Sequence, residues 1–258
     1  MNETLNPNPE PMTVYILTAI VTVAVAAFIF FPREYLSSPP SGLLLNRLEH
    51  RFLHPEDAAL IVSRLQQMDY YSYAASSDIP KLSADLTHSL SMFGVLSSIE
   101  NEQTGIPLDF RYYSLDGEAL CERGGFREKL SQMQPFFKKA GLQFALSNYR
   151  ELRSAGRMDL SFCINDREYK VFQGYDGKDG WSIAALRLAE IINCELTLQD
   201  KEERMYLINS GNDGAAVFLT PQQYGLINAE LKDELWKPLK PGEWRRLNKV
   251  QGALKVEC

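Results

Sequence analysis

Residues 12–31 run for 20 positions without a single charged side chain, and no other feature limits the fold of this chain as tightly. At about 1.5 Å of rise per residue, a helix of that length spans the roughly 30 Å hydrocarbon layer of a bilayer. In lipid the backbone must satisfy its own hydrogen bonds, which forces a helix despite the many β-branched residues. Pro11 and Pro32 bracket the stretch where a helix tolerates them, and Tyr15, Phe30 and Phe31 stand near its two ends. The sequence therefore predicts one membrane span. Ala24-Val25-Ala26 resembles a cleavage site, but residues 1–11 contain no lysine or arginine, unlike the start of a secretory signal. Cleavage after Ala26 would also leave five apolar residues, Ala27 to Phe31, on the mature end.

Positive charge flanks the span on one side only, as Arg33, Arg47 and Arg51. The positive-inside rule then puts the C-terminal part in the cytoplasm and the short acidic tail, residues 1–11, outside. The reverse orientation would place the domain in the periplasm or another extracytoplasmic space. Residues 32–42, rich in proline and serine, read as a stiff polar linker. Residues 43–93 read as helical and 94–258 as an α+β domain.

The rest of the chain has ordinary globular character, the whole being 45% hydrophobic and 23% charged. Its net charge of −6 comes without a lysine- or arginine-rich run. Nucleic-acid binding, which needs a basic face, is thereby disfavoured. The four cysteines, Cys121, Cys163, Cys194 and Cys258, form no C-x-x-C pair. Neither a zinc site nor a dithiol redox motif is implied, and Cys163 and Cys194 read as small buried hydrophobes. No phosphate loop, dinucleotide loop or nucleophile elbow occurs, so no cofactor is implied.

His54-Pro55-Glu56-Asp57 signals a helix start, followed by the stripe Ala58, Ile61, Leu65 and Met68. A second helix opens at Asp78-Ile79-Pro80 with Leu82, Leu86, Leu90 and Phe93 on one face. Residues 95–99 and 108–113 read as a hairpin, with Leu108, Phe110 and Tyr112 inward and Asp109, Arg111 and Tyr113 outward. A helix over 125–140 should kink at Pro135. Residues 142–149, 158–164 and 168–173 read as strands, the last two joined by an Asn165-Asp166 turn. A helix over 181–198 is apolar nearly all round and should be central, with Arg187 and Glu190 on a wet edge. Residues 204–209 and 215–219 form another hairpin, Thr220-Pro-Gln-Gln223 a capping box, and the tail should pack irregularly. The expected fold is α+β, a mostly antiparallel sheet built from hairpins and covered by helices.

Two Gly-rich loops, 174–180 and 210–214, carry Asp176, Asp179, Asn212 and Asp213. If they converge, these groups suit a membrane-tethered hydrolase, although turn and cap roles also account for each of them. Neither loop has EF-hand spacing, and no metal site is implied. His50 and His54 lack a third ligand nearby. Asp159 with Glu168-Tyr169-Lys170 resembles the D…ExK arrangement of nucleases, but Glu168 follows its turn at once and no basic face accompanies it. Tyr70, Tyr71, Tyr73, Trp236 and Trp244 are candidates for a protein interface, with a lid over the core as the plainer reading. The first reading is accordingly a binding or regulatory module for a protein partner at the membrane, and the alternative is the hydrolase.

Overall fold

The computed structural model describes residues 53–176, 180–209, 214–251 and 258, all within one compact unit. The predicted span, residues 12–31, lies outside the described residues. Among those described, no helix is long and apolar enough to cross a membrane.

Helix α1 (Pro55–Gln67) begins on its proline, with Glu56 and Asp57 in the positive first turn, and buries Ala58, Ile61, Val62 and Leu65. Helix α2 (Ile79–Phe93) buries Leu82, Leu86 and Leu90 and ends at Gly94 in the left-handed conformation. Phe93 does not continue the stripe. It is 55% exposed and edges onto the His88 ring instead.

Two three-stranded antiparallel sheets follow. One has the order β1 (Tyr112–Ser114), β6 (Ala215–Leu219), β5 (Arg204–Ile208), and the other is the meander β2 (Leu146–Ser154), β3 (Arg157–Ile164), β4 (Arg167–Tyr175). The first sheet is covered on both faces, which is why β6 is an unbroken apolar run. Tyr206, Ile208, Val217 and Leu219 point into a core shared with α1, α2 and α7 (Pro221–Glu230). Met205, Leu207, Ala216 and Phe218 point the other way, towards helix α6 (Gly180–Leu198). That helix packs on β5 and β4, between the two sheets. The layers therefore run helices, central sheet, α6, outer meander, and the fold class is α+β.

Helix α7 opens on the capping box read from the sequence, Gln223 N–H to Thr220 Oγ1 at 3.3 Å and Thr220 N–H to Gln223 Oε1 at 3.0 Å. Pro135 breaks the expected long helix into α4 (Gly125–Gln132) and α5 (Gln134–Lys139). A short helix, α3 (Gly117–Cys121), precedes them, capped by Asp116. The tail forms α8 (Pro241–Leu247), whose Trp244 is buried and donates its indole N–H to the Asn209 carbonyl.

Residues 95–99 do not form a hairpin with 108–113. A single bridge, Glu100 to Pro107, closes that loop, and β1 pairs with β6 instead. Asp109 causes the difference. Its Oδ1 accepts the Arg111 N–H at 2.9 Å and the Tyr112 N–H at 3.3 Å, folding a turn that puts Phe110 at φ 55. The strand phase flips, so Asp109, Arg111 and Tyr113 are buried and Leu108, Phe110 and Tyr112 only partly so. Arg187 likewise departs from the expected wet edge. It is 2% exposed, bonded to Glu190 Oε2 at 3.1 Å and to the Lys170 carbonyl.

Candidate functional site

The buried charged groups divide by role. Arg111 donates to the carbonyls of Tyr70 (2.7 Å) and Phe218 (3.2 Å) and to Ser72 Oγ (3.3 Å), and lies 3.9 Å from Glu203. Its guanidinium also covers the Tyr73 ring at 4.2 Å, and the Tyr73 hydroxyl donates to Glu203. Burial raises the Asp109 carboxyl against the pull of these neighbours, and drives the Tyr70 phenol well above its ordinary value. On α6, Glu195 accepts from Arg167 (2.7 Å), Tyr169 (2.6 Å), Asn165 (3.1 Å) and Gln199 (3.2 Å). Both networks spend their hydrogen-bonding capacity on the fold.

The aromatic candidates separate in the same way. Tyr70, Tyr71 and Trp244 are buried in the domain, while Tyr73 and Trp236 are half-buried. Of the loop candidates, Asp176 is exposed at the end of β4; Asp179, Asn212 and Asp213 lie outside the described residues. Asp159 faces Gly174, whose N–H it accepts at 2.6 Å, whereas Glu168 pairs with Cys163 at the far end of the strands. The nuclease-like set is therefore not assembled. Cys194 is buried, as expected, but Cys163 is only half-buried. His54 and His88 are exposed. Among the described residues no cluster of three His, Cys, Asp or Glu side chains is arranged to hold a metal ion.

One concavity gathers aromatic and basic side chains near the surface. A groove of about 480 Å³ lies where the β2–β3 turn meets the start of α6, lined by Cys121, Arg153, Arg157, Met158, Tyr175 and Trp181 among others. Ala155 and Gly156 form the turn with positive φ, 48° and 77°, the conformation that a two-residue hairpin turn demands. Trp181 is 44% exposed although it sits on the most buried helix of the domain. Its backbone is gripped from behind, because a Cβ on Gly117 would stand 2.8 Å from both Trp181 Cβ and Trp181 O. A Cβ on Gly180 would similarly meet the Tyr175 ring at 2.8–3.2 Å. Bare glycine backbone thus lets α3 and Tyr175 close on the helix start that carries Trp181 into the groove lining.

Arg153 is also fixed. Its Nε and a terminal nitrogen each lie 2.7 Å from Glu151 Oε1, and the latter reaches the Cys121 carbonyl as well. Glu151 accepts the Gly124 N–H at 2.9 Å, so the protein's own carboxylate occupies the anion position at the start of α4. Arg157 is exposed and forms no ion pair among the described residues. The Cys121 thiol is pushed up to about 11 by burial, against the opposing pull of Arg153. It is consequently a poor nucleophile at neutral pH. Iodoacetamide labelling of Cys121, followed by peptide mass mapping, should be negligible at pH 7.5 and climb steadily from pH 8 to pH 10.

The corner behind the groove has no slack. A Cβ on Gly125 would stand 1.9 Å from the Ala119 carbonyl oxygen, which is backbone and cannot swing aside. Gly125→Ala should therefore separate α3 from α4 and destabilise the domain by about 3 kcal/mol, read as a lowered denaturation midpoint.

A second concavity of similar size, between α7 and α8, mixes Glu234, Lys237, Glu243 and Arg246. Several of its groups satisfy one another, as in Tyr224 Oη to Glu243 at 3.0 Å and Lys237 to Glu234 at 3.8 Å. The Trp181 groove was not legible beforehand, because its described lining comes from residues 121, 153–158, 175, 180 and 181, brought together only by the meander and α6. No protein-family model, curated protein or solved structure matches this chain.

Proposed function

We propose that this chain is a membrane-anchored binding module, tethered through residues 12–31, whose α+β domain engages a protein partner through the groove at Trp181. The observation that carries this reading is an exposed tryptophan, its backbone packed against Gly117, that lines one groove with two arginines. Exposed aromatic and arginine side chains supply most hot spots of protein interfaces, and a preorganised one loses little entropy on binding. The uncharged stretch adds the location. A domain held in the membrane plane meets membrane-bound partners at raised effective concentration, without further contacts. The positive flank supports a cytoplasmic domain.

A photo-crosslinking amino acid at the exposed Ser154 on the groove rim, with a control at Leu60 on α1, tests the reading in intact membranes. The expected result is a discrete adduct from Ser154 and none from Leu60, in material that resists alkaline carbonate. Extraction of the full-length chain by carbonate would overturn the tether, and equal or absent adducts at the two positions would overturn the groove. Orientation is checked separately by C-terminal reporter fusions. Fluorescence of a green-fluorescent-protein fusion is expected, and activity of an alkaline-phosphatase fusion would reverse the assignment.

A further inference from the structure

We infer that the Trp181 groove takes an extended peptide segment that carries one carboxylate next to a large apolar side chain. The inference rests on the binding-module reading above and adds the chemistry of the partner.

The charge balance of the groove selects the ligand. Among the described residues its lining contains Arg153 and Arg157 and no acid, in a chain whose net charge is −6. Glu151 already neutralises Arg153 at 2.7 Å, which leaves the Arg157 guanidinium as the open cation among the described residues of the lining. One open guanidinium matches one carboxylate, which it can bind through two parallel N–H donors. The apolar part has its own counterpart in the Trp181 indole and the Met158 side chain, which line the same groove, an aromatic face and an adaptable thioether. A volume of about 480 Å³ lies within the range of sites that enclose small ligands, and so suits a short segment of chain.

Position in the layers argues for peptide over lipid headgroup. The groove belongs to the α6 and outer-meander side of the domain. Helix α1, which continues the chain from its N-terminal part, covers the opposite face of the central sheet. The groove is thus separated from α1 by the central sheet and the α6 layer.

The test uses the full-length chain in neutral-detergent micelles and a fluorescein-labelled peptide, acetyl-Gly-Ser-Phe-Asp-Leu-Ser-amide, followed by fluorescence anisotropy. Saturable binding is expected, weakened about tenfold by Arg157→Gln, by Trp181→Ala and by exchanging the peptide's aspartate for asparagine. Raising the salt concentration should weaken it further, since Arg157 is exposed. Arg157 is exposed and 44% of Trp181 is open to solvent, so melting curves of the variants should lie close to the parent. Absence of saturable binding, or binding indifferent to both variants, overturns the inference. Displacement of the peptide by millimolar inorganic phosphate or by phosphatidylserine vesicles, more readily than by unlabelled peptide, also overturns it, in favour of a phosphate or a lipid surface. If the Ser154 adduct forms in membranes while this peptide fails to bind, the ligand chemistry is wrong and the binding-module reading survives.

Discussion

Replacing Arg111 by Ala is expected to destabilise the domain by about 3–5 kcal/mol, the usual result of removing one partner from a buried ionic network. The side chain is 1% exposed and ties three parts of the chain together: the segment after α1 through Tyr70 and Ser72, the central sheet through Phe218, and the start of β5 through Glu203. Without it, two carbonyls and a hydroxyl lose their donor. The Glu203 carboxylate, with its side chain only 13% exposed, loses its cation. Lysine should not rescue the loss, because a single ammonium cannot reproduce a planar fork of donors aimed in three directions. Thermal melting would report a fall on the order of 10 °C for a domain of this size.

The loss at Arg111 should also depend on pH. The buried Asp109 carboxyl is already raised, and Arg111 is one of the groups opposing that rise. A carboxyl raised in the folded state favours folding below its unfolded value, and that advantage disappears as pH climbs through the folded value. Removing Arg111 raises Asp109 further, so the penalty for holding a charged carboxylate grows with pH. The deficit of Arg111→Ala should therefore be larger at pH 7 than at pH 4.5. A deficit independent of pH would mean that lost packing, rather than charge, dominates.

Glu195→Ala should cost about 3 kcal/mol for a related reason. Glu195 is 1% exposed on the helix between the two sheets, and its two oxygens collect four donors from the β3–β4 turn, β4 and Gln199 just after α6. Asn165, one of those donors, also accepts the Ala145 N–H at 3.0 Å and donates to the Gln143 carbonyl at 2.8 Å. Losing the carboxylate therefore loosens the whole end of the meander against α6 and leaves the buried Tyr169 hydroxyl without its closest acceptor. Glu195→Gln keeps one acceptor oxygen but turns an amide N–H₂ towards other donors, so it should fall between parent and Ala. Hydrogen exchange would localise the effect, with faster exchange in residues 164–170 and little change in β5 and β6.

These two networks also mark where sequence patterns stop being informative. Period and capping identified α1, α2, α6, the β3–β4 hairpin, the β5–β6 hairpin and the Thr220 cap, because each depends on neighbours a few positions away. The pattern failed where a polar side chain took a core position with its partners supplied from afar. The alternation at residues 108–113 predicts Arg111 outward. Yet five guanidinium donors can be satisfied inside when backbone carbonyls 41 and 107 positions away converge on them. Arg187 is a second case of the same kind. Trp244 reads as part of an irregular tail, although a carbonyl 35 positions away receives its N–H and makes its burial possible. For the groove, Trp181 was visible only as the first apolar residue of a helix. Its setting includes the close approach of Gly117 to its backbone, a contact across 64 positions that no local pattern encodes.

If buried charges hold this fold and the Trp181 groove is left to meet a partner, as proposed above, then replacing Trp181 by Ala weakens the Ser154 crosslink in native membranes. The yield should fall at least several-fold while the melting temperature stays at the parent value. A retained crosslink, accompanied by a clear drop in melting temperature, would show Trp181 to be part of the scaffold and contradict the claim.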